Sequence, residues 1–475
     1  MNVLLITLDQ FRGDCLSAAG HPLVRTPHLD RLAADGVRFA RHYSQAAPCA
    51  PGRACLYTGT YQMNNRVVGN GTPLDRRFDN VALAARRAGY DPTLFGYTDA
   101  GLDPREADGP DDPRLRSYEE VLPGFQVGAD LRGMDAEPWI EWLADRGYAI
   151  AGADPFARIE TALASEPERP VDASLSAFTV DRLLEWVGRQ DDQWFAHLSL
   201  LRPHPPYAAP GDWSRAYDPA DVGLPIAPAD DRHWLHDVAM RHPASAAPTD
   251  EAGMRHLRAQ YFGMIGHVDE QVGRLRRALE DMGAWDDTVI VVTADHGEQL
   301  GDHGLIQKLG YFEQSYHILL IVRDPRRAAG QGTVVTEFTE NVDIFPTLCE
   351  LMGVDAPVQC DGLPLTLWLD GERPPWWRSA AHWEFDWRTM VGAQNGWPWA
   401  RTPERQNLAV LRTEDVGYVQ FGDGSWRCFD LRTDPTWRTW TEDPAIVLDA
   451  AQQMLLWRSE HADRTLTGYV IGAGT

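Results

Sequence analysis

Five apolar runs that end on polar residues constrain this chain more than any other feature of its sequence. NVLLITLD at the start, TLFGYTD near residue 95, WFAHLSL near 197, TVIVVTADH near 291 and ILLIVRDP near 320 are short and rich in β-branched residues. Continuous runs of that kind read as parallel strands covered on both faces. Between them lie helix-like segments, LDRLAADGVRFARHY, NVALAARRAGY, LSAFTVDRLLEWVGRQ and the long MRHLRAQYFGMIGHVDEQVGRLRRALEDMG. The alternation predicts a doubly wound α/β sheet. Ligands of such sheets sit outside the carboxyl ends of the strands, where the endings LDQ, YTD, LRPH and ADH would converge.

Two stretches interrupt this pattern. Residues 100–170 and 203–250 are rich in Pro, Asp, Ala and Gly and read as long excursions that roof the site. Past a PTL helix start at Pro346, WWRSAAHWEFDW and LAVLRTEDVGYVQFGDGSWRCFDLR read as antiparallel strands with a GDG turn, followed by a closing helix from Ile446 to His461. The expected division is a catalytic α/β domain over residues 1–365 and an α+β subdomain with a tail over 366–475. No internal repeat or low-complexity tract is present.

With 44 basic against 69 acidic residues the chain carries a net charge of −25, which repels polyanions and argues against nucleic acid or an acidic membrane surface as its partner. The first apolar run lacks the basic flank of a signal segment, and no run approaches the roughly 20 residues that span a bilayer. The expectation is a cytoplasmic protein. Cys15, Cys49, Cys55, Cys349, Cys360 and Cys428 form no CxxC pair, so neither a zinc knuckle nor a disulfide framework is indicated. Most read as buried thiols.

Cys49 is the exception, because of APCAPGRACLYTG around it. A cysteine phosphatase would need its phosphate-cradling arginine six residues after the thiol, whereas Arg53 follows after four. A cysteine ahead of a helix is also a common packed hydrophobe. The third reading comes from Cys49-Ala50-Pro51-Gly52-Arg53 with Leu56 and Thr58-Gly59, which resembles the signature of the sulfatase family in the alkaline phosphatase superfamily. The resemblance extends over nearly the whole chain. It implies an alkaline-phosphatase-like mixed sheet with a smaller C-terminal antiparallel sheet, and oxidation of Cys49 to formylglycine by a maturation enzyme that reads C-x-P-x-R. A hydrated aldehyde carries two hydroxyls on one carbon: one attacks sulfur or phosphorus, and the other later expels the product as the carbonyl reforms. Arg53 then fits as the fixed charge beside it, and a helix starting near Pro51 would turn free N–H groups toward the anion.

Single carboxylates at strand ends are often turn residues. Asp9 after the first strand and Asp295 with His296 after TVIVVTADH, converging with residue 49, point instead to a divalent-metal site. The resemblance assigns the same set, Asp9, Cys49, Asp295 and His296, as ligands of one ion. Gln10, a possible metal-adjacent residue, stands where most sulfatases have aspartate, and His296 where many have asparagine. Nitrogen in place of oxygen favours Mn²⁺, with Ca²⁺ possible.

Other departures indicate a branch. Thr60 replaces an arginine after Thr-Gly, and Gly96-Tyr97-Thr98-Asp99 replaces a Gly-Lys-x-His element. The chain resembles the phosphonate monoester hydrolase and phosphodiesterase branch in Met63, Asn64, Arg66, Val68, Asn70, Pro73-Leu74-Asp75, Arg202-Pro203-His204-Pro205-Pro206, ADHGEQLGDHG and HADRTLT. That resemblance implies Asn70, Tyr97 and Thr98 as neutral donors to the substrate, His204 and Lys308 as the pair serving the leaving group, and a homodimer or homotetramer built with the C-terminal tail. Few cations suit a monoanionic group. The expected activity is therefore hydrolysis of aryl sulfate esters, with phosphonate monoesters and phosphodiesters as further or primary substrates. The rivals are a non-catalytic metal-binding protein on the same fold, and a phosphatase or mutase of the superfamily with a Ser or Thr nucleophile.

Overall fold

A computed structural model describes residues 1–117, 119–132, 137–148, 170–388, 405–464 and 467. The main sheet contains β1 (Asn2–Leu8), β2 (Val37–Tyr43), β4 (Thr93–Gly96), β5 (Gln126–Asp130), β6 (Phe195–Leu200), β7 (Thr288–Thr293), β8 (His317–Ile318), β9 (Leu320–Arg323) and β10 (Thr333–Glu340). Its order is β10-β2-β9-β7-β1-β6-β4-β5, with β8 paired to β2. From β7 to β5 every pair is parallel, which gathers the carboxyl ends of β7, β1, β6 and β4 on one edge. β1 shows why the runs are continuously apolar: Leu4, Ile6 and Leu8 enter a core with the long helix Glu251–Asp281, while Val3 and Leu5 enter another with the helices Cys49–Thr58 and Ile344–Met352.

The smaller sheet has the order β14-β13-β12-β11-β3, with β3 (Ala46–Ala47), β11 (Ala380–Asp386), β12 (Asn407–Thr413), β13 (Val416–Phe421) and β14 (Trp426–Asp430). β11 to β14 form an antiparallel meander, and the expected GDG turn joins β13 to β14. The closing helix runs over Pro444–Glu460. The α/β class with a mixed sheet and a second antiparallel sheet is as the sequence implied.

Three expectations need correction. LDRLAADGVRFARHY is not one helix: the helix Pro27–Ala34 stops before Gly36, and VRFARHY is β2, an edge-side strand with partly exposed positions among its buried ones. Its apolar residues fit helical spacing almost as well as strand alternation, and the Asp35-Gly36 break decides. ILLIVRDP forms a strand, but β9 runs antiparallel to both β7 and β2. No long crossover helix separates β7 from β9, so the chain re-enters the sheet at the end it left. The 100–170 excursion also supplies a strand, since β5 pairs in parallel with β4. Residues 118, 133–136 and 149–169 of that excursion, and Thr465 and Leu466 of the HADRTLT element, lie outside the described residues, as does the terminal segment 468–475 of the tail expected to build the assembly.

Trp383 of β11 joins the two sheets. It is fully buried, stacks on Tyr43 of β2 at 5.6 Å and on Tyr316 at 4.9 Å, and donates its indole N–H to the Tyr311 carbonyl at 3.1 Å. Trp383→Ala should therefore cost about 3–5 kcal/mol, read as a lowered urea midpoint. A midpoint within error of the parent would show that the sheets hold together without it.

Candidate active site

The site begins with a buried arginine. Arg53, fully buried, lies one turn into the helix Cys49–Thr58. Its Nε donates to Asp295 Oδ2 at 3.0 Å and lies 3.2 Å from Asp99 Oδ2, and Nη2 donates to Asp9 Oδ2 at 3.2 Å. Nη1 donates to the Tyr97 carbonyl, Ser199 Oγ and the Tyr57 hydroxyl, while the guanidinium lies 4.3 Å from the centre of the Tyr97 ring. Apart from Tyr57, which lies in the same helix, these partners follow the ends of β1, β4 and β7 or lie in β6, so one side chain ties four strand ends to the helix. Gly52 permits the approach. A Cβ there would lie 2.5 Å from the Asp295 carbonyl oxygen and 2.9 Å from that of Ala46.

Asp9, Cys49, Asp295 and His296 each offer one ligand atom, and these atoms lie within 4.8 Å of one another in a buried cluster. Asp9 Oδ2 accepts from Arg53 and, at 2.5 Å, from the Tyr97 hydroxyl, whereas its buried Oδ1 has no hydrogen-bond partner. His296 Nδ1 sits 3.0 Å from the Gly297 carbonyl, which only a donor can satisfy. The Nε2 lone pair therefore faces the cluster, 3.3 Å from Cys49 Sγ. An orphaned carboxylate oxygen, a lone pair and two further soft or anionic atoms are the donor set of a divalent cation. The residues fit that group.

Electrostatics agree. Burial disfavours the Asp9 carboxylate, but His204, Lys308 and Arg53 outweigh it and hold its pKa well below the usual range. Burial and the charge of Asp9 push Asp295 up to about 7, and burial lifts Asp99 to about 8 despite Arg53. Negative charge is thus in excess until a cation joins it. Burial and then Lys308 keep His296 neutral, with a pKa near 3, the form that ligates. Burial also raises the Cys49 thiol well above its ordinary value.

Of the remaining expected residues, Lys308 and Gln10 join the cluster. The Lys308 ammonium lies against Cys49 and donates to Gln10 Oε1 at 2.9 Å. Gln10 donates through its amide nitrogen to Glu298, and its Oε1, which accepts from Lys308, keeps a second lone pair. His204 is partly buried, hydrogen-bonds the Pro205 carbonyl through Nδ1 at 2.7 Å, and is kept neutral by burial and by nearby Lys308. Asn70 stands exposed at the rim, where Oδ1 accepts from the Ala50 N–H at 3.0 Å. That bond occupies a helix N–H expected to be free for an anion, and the helix begins at Cys49 rather than near Pro51. Tyr97 serves Asp9 directly. Thr98 is not brought to the cluster: its hydroxyl donates to the Glu120 carbonyl at 3.1 Å and accepts from the Leu122 N–H at 3.0 Å.

Residues without an expected role also belong here. Asp99, Ser199, Glu298 and Tyr207 are all buried within the network. Asp99 stands in the Gly-Tyr-Thr-Asp departure and Glu298 in ADHGEQ, so the signal was present. Gln10, Asp99, Leu300, His303 and Gln307 all have φ between 52° and 68°, a strained conformation that non-glycine residues keep only where surroundings enforce it.

A model of the family described as Sulfatase matches residues 1–354, and one for the C-terminal region of N-sulphoglucosamine sulphohydrolase matches residues 301–443. The multifunctional alkaline phosphatase superfamily protein PehA of Trinickia caryophylli is 37% identical, over 98% of this chain and 97% of its own. An arylsulfatase of Clostridium perfringens is 25% identical over 91% of this chain and 88% of its own. The crystal structure of the phosphonate monoester hydrolase of Agrobacterium radiobacter superposes with a TM-score of 0.91 at 42% identity, covering 98% of this chain and 97% of that one.

Because Tyr97 orients Asp9 through one oxygen and leaves the other free, Tyr97→Phe should weaken Mn²⁺ binding about 10–100-fold while the fold persists. Calorimetric titration of metal-stripped protein measures this, and equal affinity in parent and variant would contradict the role.

Proposed function

The chain belongs to the sulfatase family of the alkaline phosphatase superfamily, and from that membership we propose that it is a formylglycine- and metal-dependent hydrolase of monoanionic esters. The substrates in this reading are aryl sulfates, phosphonate monoesters and phosphate diesters. The likeness to a phosphonate monoester hydrolase at 42% identity and to an arylsulfatase supports both chemistries.

The observation that carries the reading is the charge of the cluster. Asp9, Asp99 and Asp295 face one guanidinium and one ammonium, Arg53 and Lys308. A bound dication would favour the ionised form of all three carboxylates, and the cluster would then carry one net positive charge, which balances a monoanion and falls short of a dianionic phosphate monoester. Asp9, Asp295, His296 and residue 49 would hold the ion, Mn²⁺ by preference for the imidazole nitrogen and Ca²⁺ as the alternative, and it would supply Lewis acidity at the ester oxygen. Formylglycine, installed at Cys49 by a maturation enzyme, would supply the nucleophile.

The chain's own side chains do the rest. Lys308, beside residue 49, counters charge that develops on the transferred group or leaving oxygen. His204 is neutral with Nδ1 committed to Pro205, so Nε2 is the atom through which it can act on the leaving group. Asn70 keeps its amide N–H₂ for the substrate while Oδ1 fixes the helix start. Arg53, already shared among three carboxylates, orients ligands rather than gripping substrate. Among the described residues no helix is long and apolar enough to cross a membrane. All six cysteines are free, which suits a reducing compartment, and we place the enzyme in the cytoplasm as a homodimer or homotetramer.

The test is kcat/KM for an aryl sulfate, an aryl phosphonate monoester, an aryl phosphate diester and the aryl phosphate monoester, all with one leaving group. The three monoanions should react faster than the phosphate monoester, and Cys49→Ala should abolish turnover of all four. A preference for the phosphate monoester would overturn the charge argument.

A further inference from the structure

We propose that Glu298 is a positioning residue for this hydrolysis: it fixes the side-chain amide of Gln10 with its oxygen turned toward Lys308, and thereby holds the Lys308 ammonium at residue 49. The inference rests on the functional reading above and extends it to a buried carboxylate outside the cluster of Asp9, Cys49, Asp295 and His296.

Glu298 is fully buried and makes no ion pair with Lys308. Its four lone-pair directions are all taken by donors. Oε1 accepts from the backbone N–H groups of Leu300 and Gln307, each at 2.7 Å, and Oε2 accepts from the Tyr207 hydroxyl at 2.9 Å and from Gln10 Nε2. These partners belong to three segments of the site: the turn after β1, the loop that carries His204, and the loop that ends in Lys308. The carboxylate is the point where those segments are tied together.

The orientation of the Gln10 amide follows from its two neighbours. An ionised carboxylate only accepts, and an ammonium only donates, so nitrogen must face Glu298 and oxygen must face Lys308. The observed contacts are of that kind, with Lys308 Nζ 2.9 Å from Gln10 Oε1. The Gln10 backbone cannot shift to compensate. It is held at φ 68°, its N–H donates to Asp295 Oδ1 at 3.1 Å, and its carbonyl accepts from the Tyr261 hydroxyl at 2.7 Å. Only rotation of the side-chain amide is left free, and Glu298 removes it.

Glu298→Gln tests this with almost no change of volume. The two backbone N–H groups would keep the amide oxygen of residue 298, which turns its N–H₂ toward Gln10. Two N–H₂ groups then face each other, and relief comes by turning over the Gln10 amide, which points donors at the Lys308 ammonium and drives it from its place. The double variant E298Q/Q10E restores an acceptor for both neighbours, since a carboxylate at position 10 accepts from the new amide at position 298 and from Lys308. Gln10→Leu breaks the same link from the other end and covers the case in which E298Q does not fold.

The experiment measures kcat and KM of the Mn²⁺-loaded enzyme for aryl phosphonate monoesters of graded leaving-group acidity, alongside thermal melts. We expect E298Q, or Gln10→Leu, to lower kcat about 10–100-fold for the poorest leaving group and progressively less for better ones, with KM nearly unchanged. E298Q/Q10E should recover most of the loss. Folded single variants whose kcat matches the parent across the series, or falls equally for every leaving group without recovery in the double variant, would overturn the inference. An inactive parent would overturn the functional reading instead, so the two failures are distinguishable.

Discussion

Three buried carboxylates share one guanidinium, and the rest of the site depends on that arrangement. Asp9, Asp99 and Asp295 follow three different strands, β1, β4 and β7, and each lies within 3.2 Å of a nitrogen of Arg53. Removing one partner of such a buried network leaves unpaired charge worth about 3–5 kcal/mol. The arginine therefore fixes the relative height of the strand ends as well as the direction of each carboxylate. It leaves Asp9 Oδ1 without a partner and facing His296 Nε2 at 3.8 Å.

Strain and close packing maintain that geometry. Gly52 lets the helix that begins at Cys49 sit on the Asp295 carbonyl, and at Gly96, with φ 121°, a Cβ would lie 2.2 Å from the Ser199 carbonyl oxygen. Of the left-handed residues, Gln10 and Asp99 are held by hydrogen bonds to other segments, and Gln307 by one that crosses its own loop to Glu298. Such backbone persists only where its surroundings over-determine it, and here those surroundings are the site itself.

Much of this was legible in the sequence. Strands buried on both faces leave unbroken apolar runs, so β1, β4, β6 and β7 could be read directly, and their polar endings marked the site edge. Asp9, Cys49, Asp295 and His296 were legible because each sits at a strand end or in a family signature. β2 was not, because VRFARHY carries apolar residues at spacings that suit helix and strand alike. The direction of β9 depends on where a long loop returns, which local pattern does not encode. Thr98 shows a different limit, since a hydroxyl's partner is set by tertiary contacts with residues 120–122. The linkage of Gln10, Glu298 and Lys308 spans 298 positions of sequence and is visible only when folded.

The central claim is that Cys49, set among Asp9, Asp295 and His296, is the precursor of the nucleophile rather than the nucleophile. Mass spectrometry of the peptide containing residue 49, taken from enzyme of known specific activity, tests it most directly. The account predicts an aldehyde-bearing residue whose fraction rises in proportion to activity across preparations made with and without the maturation enzyme. Full activity in protein whose residue 49 is wholly an unmodified cysteine would contradict it.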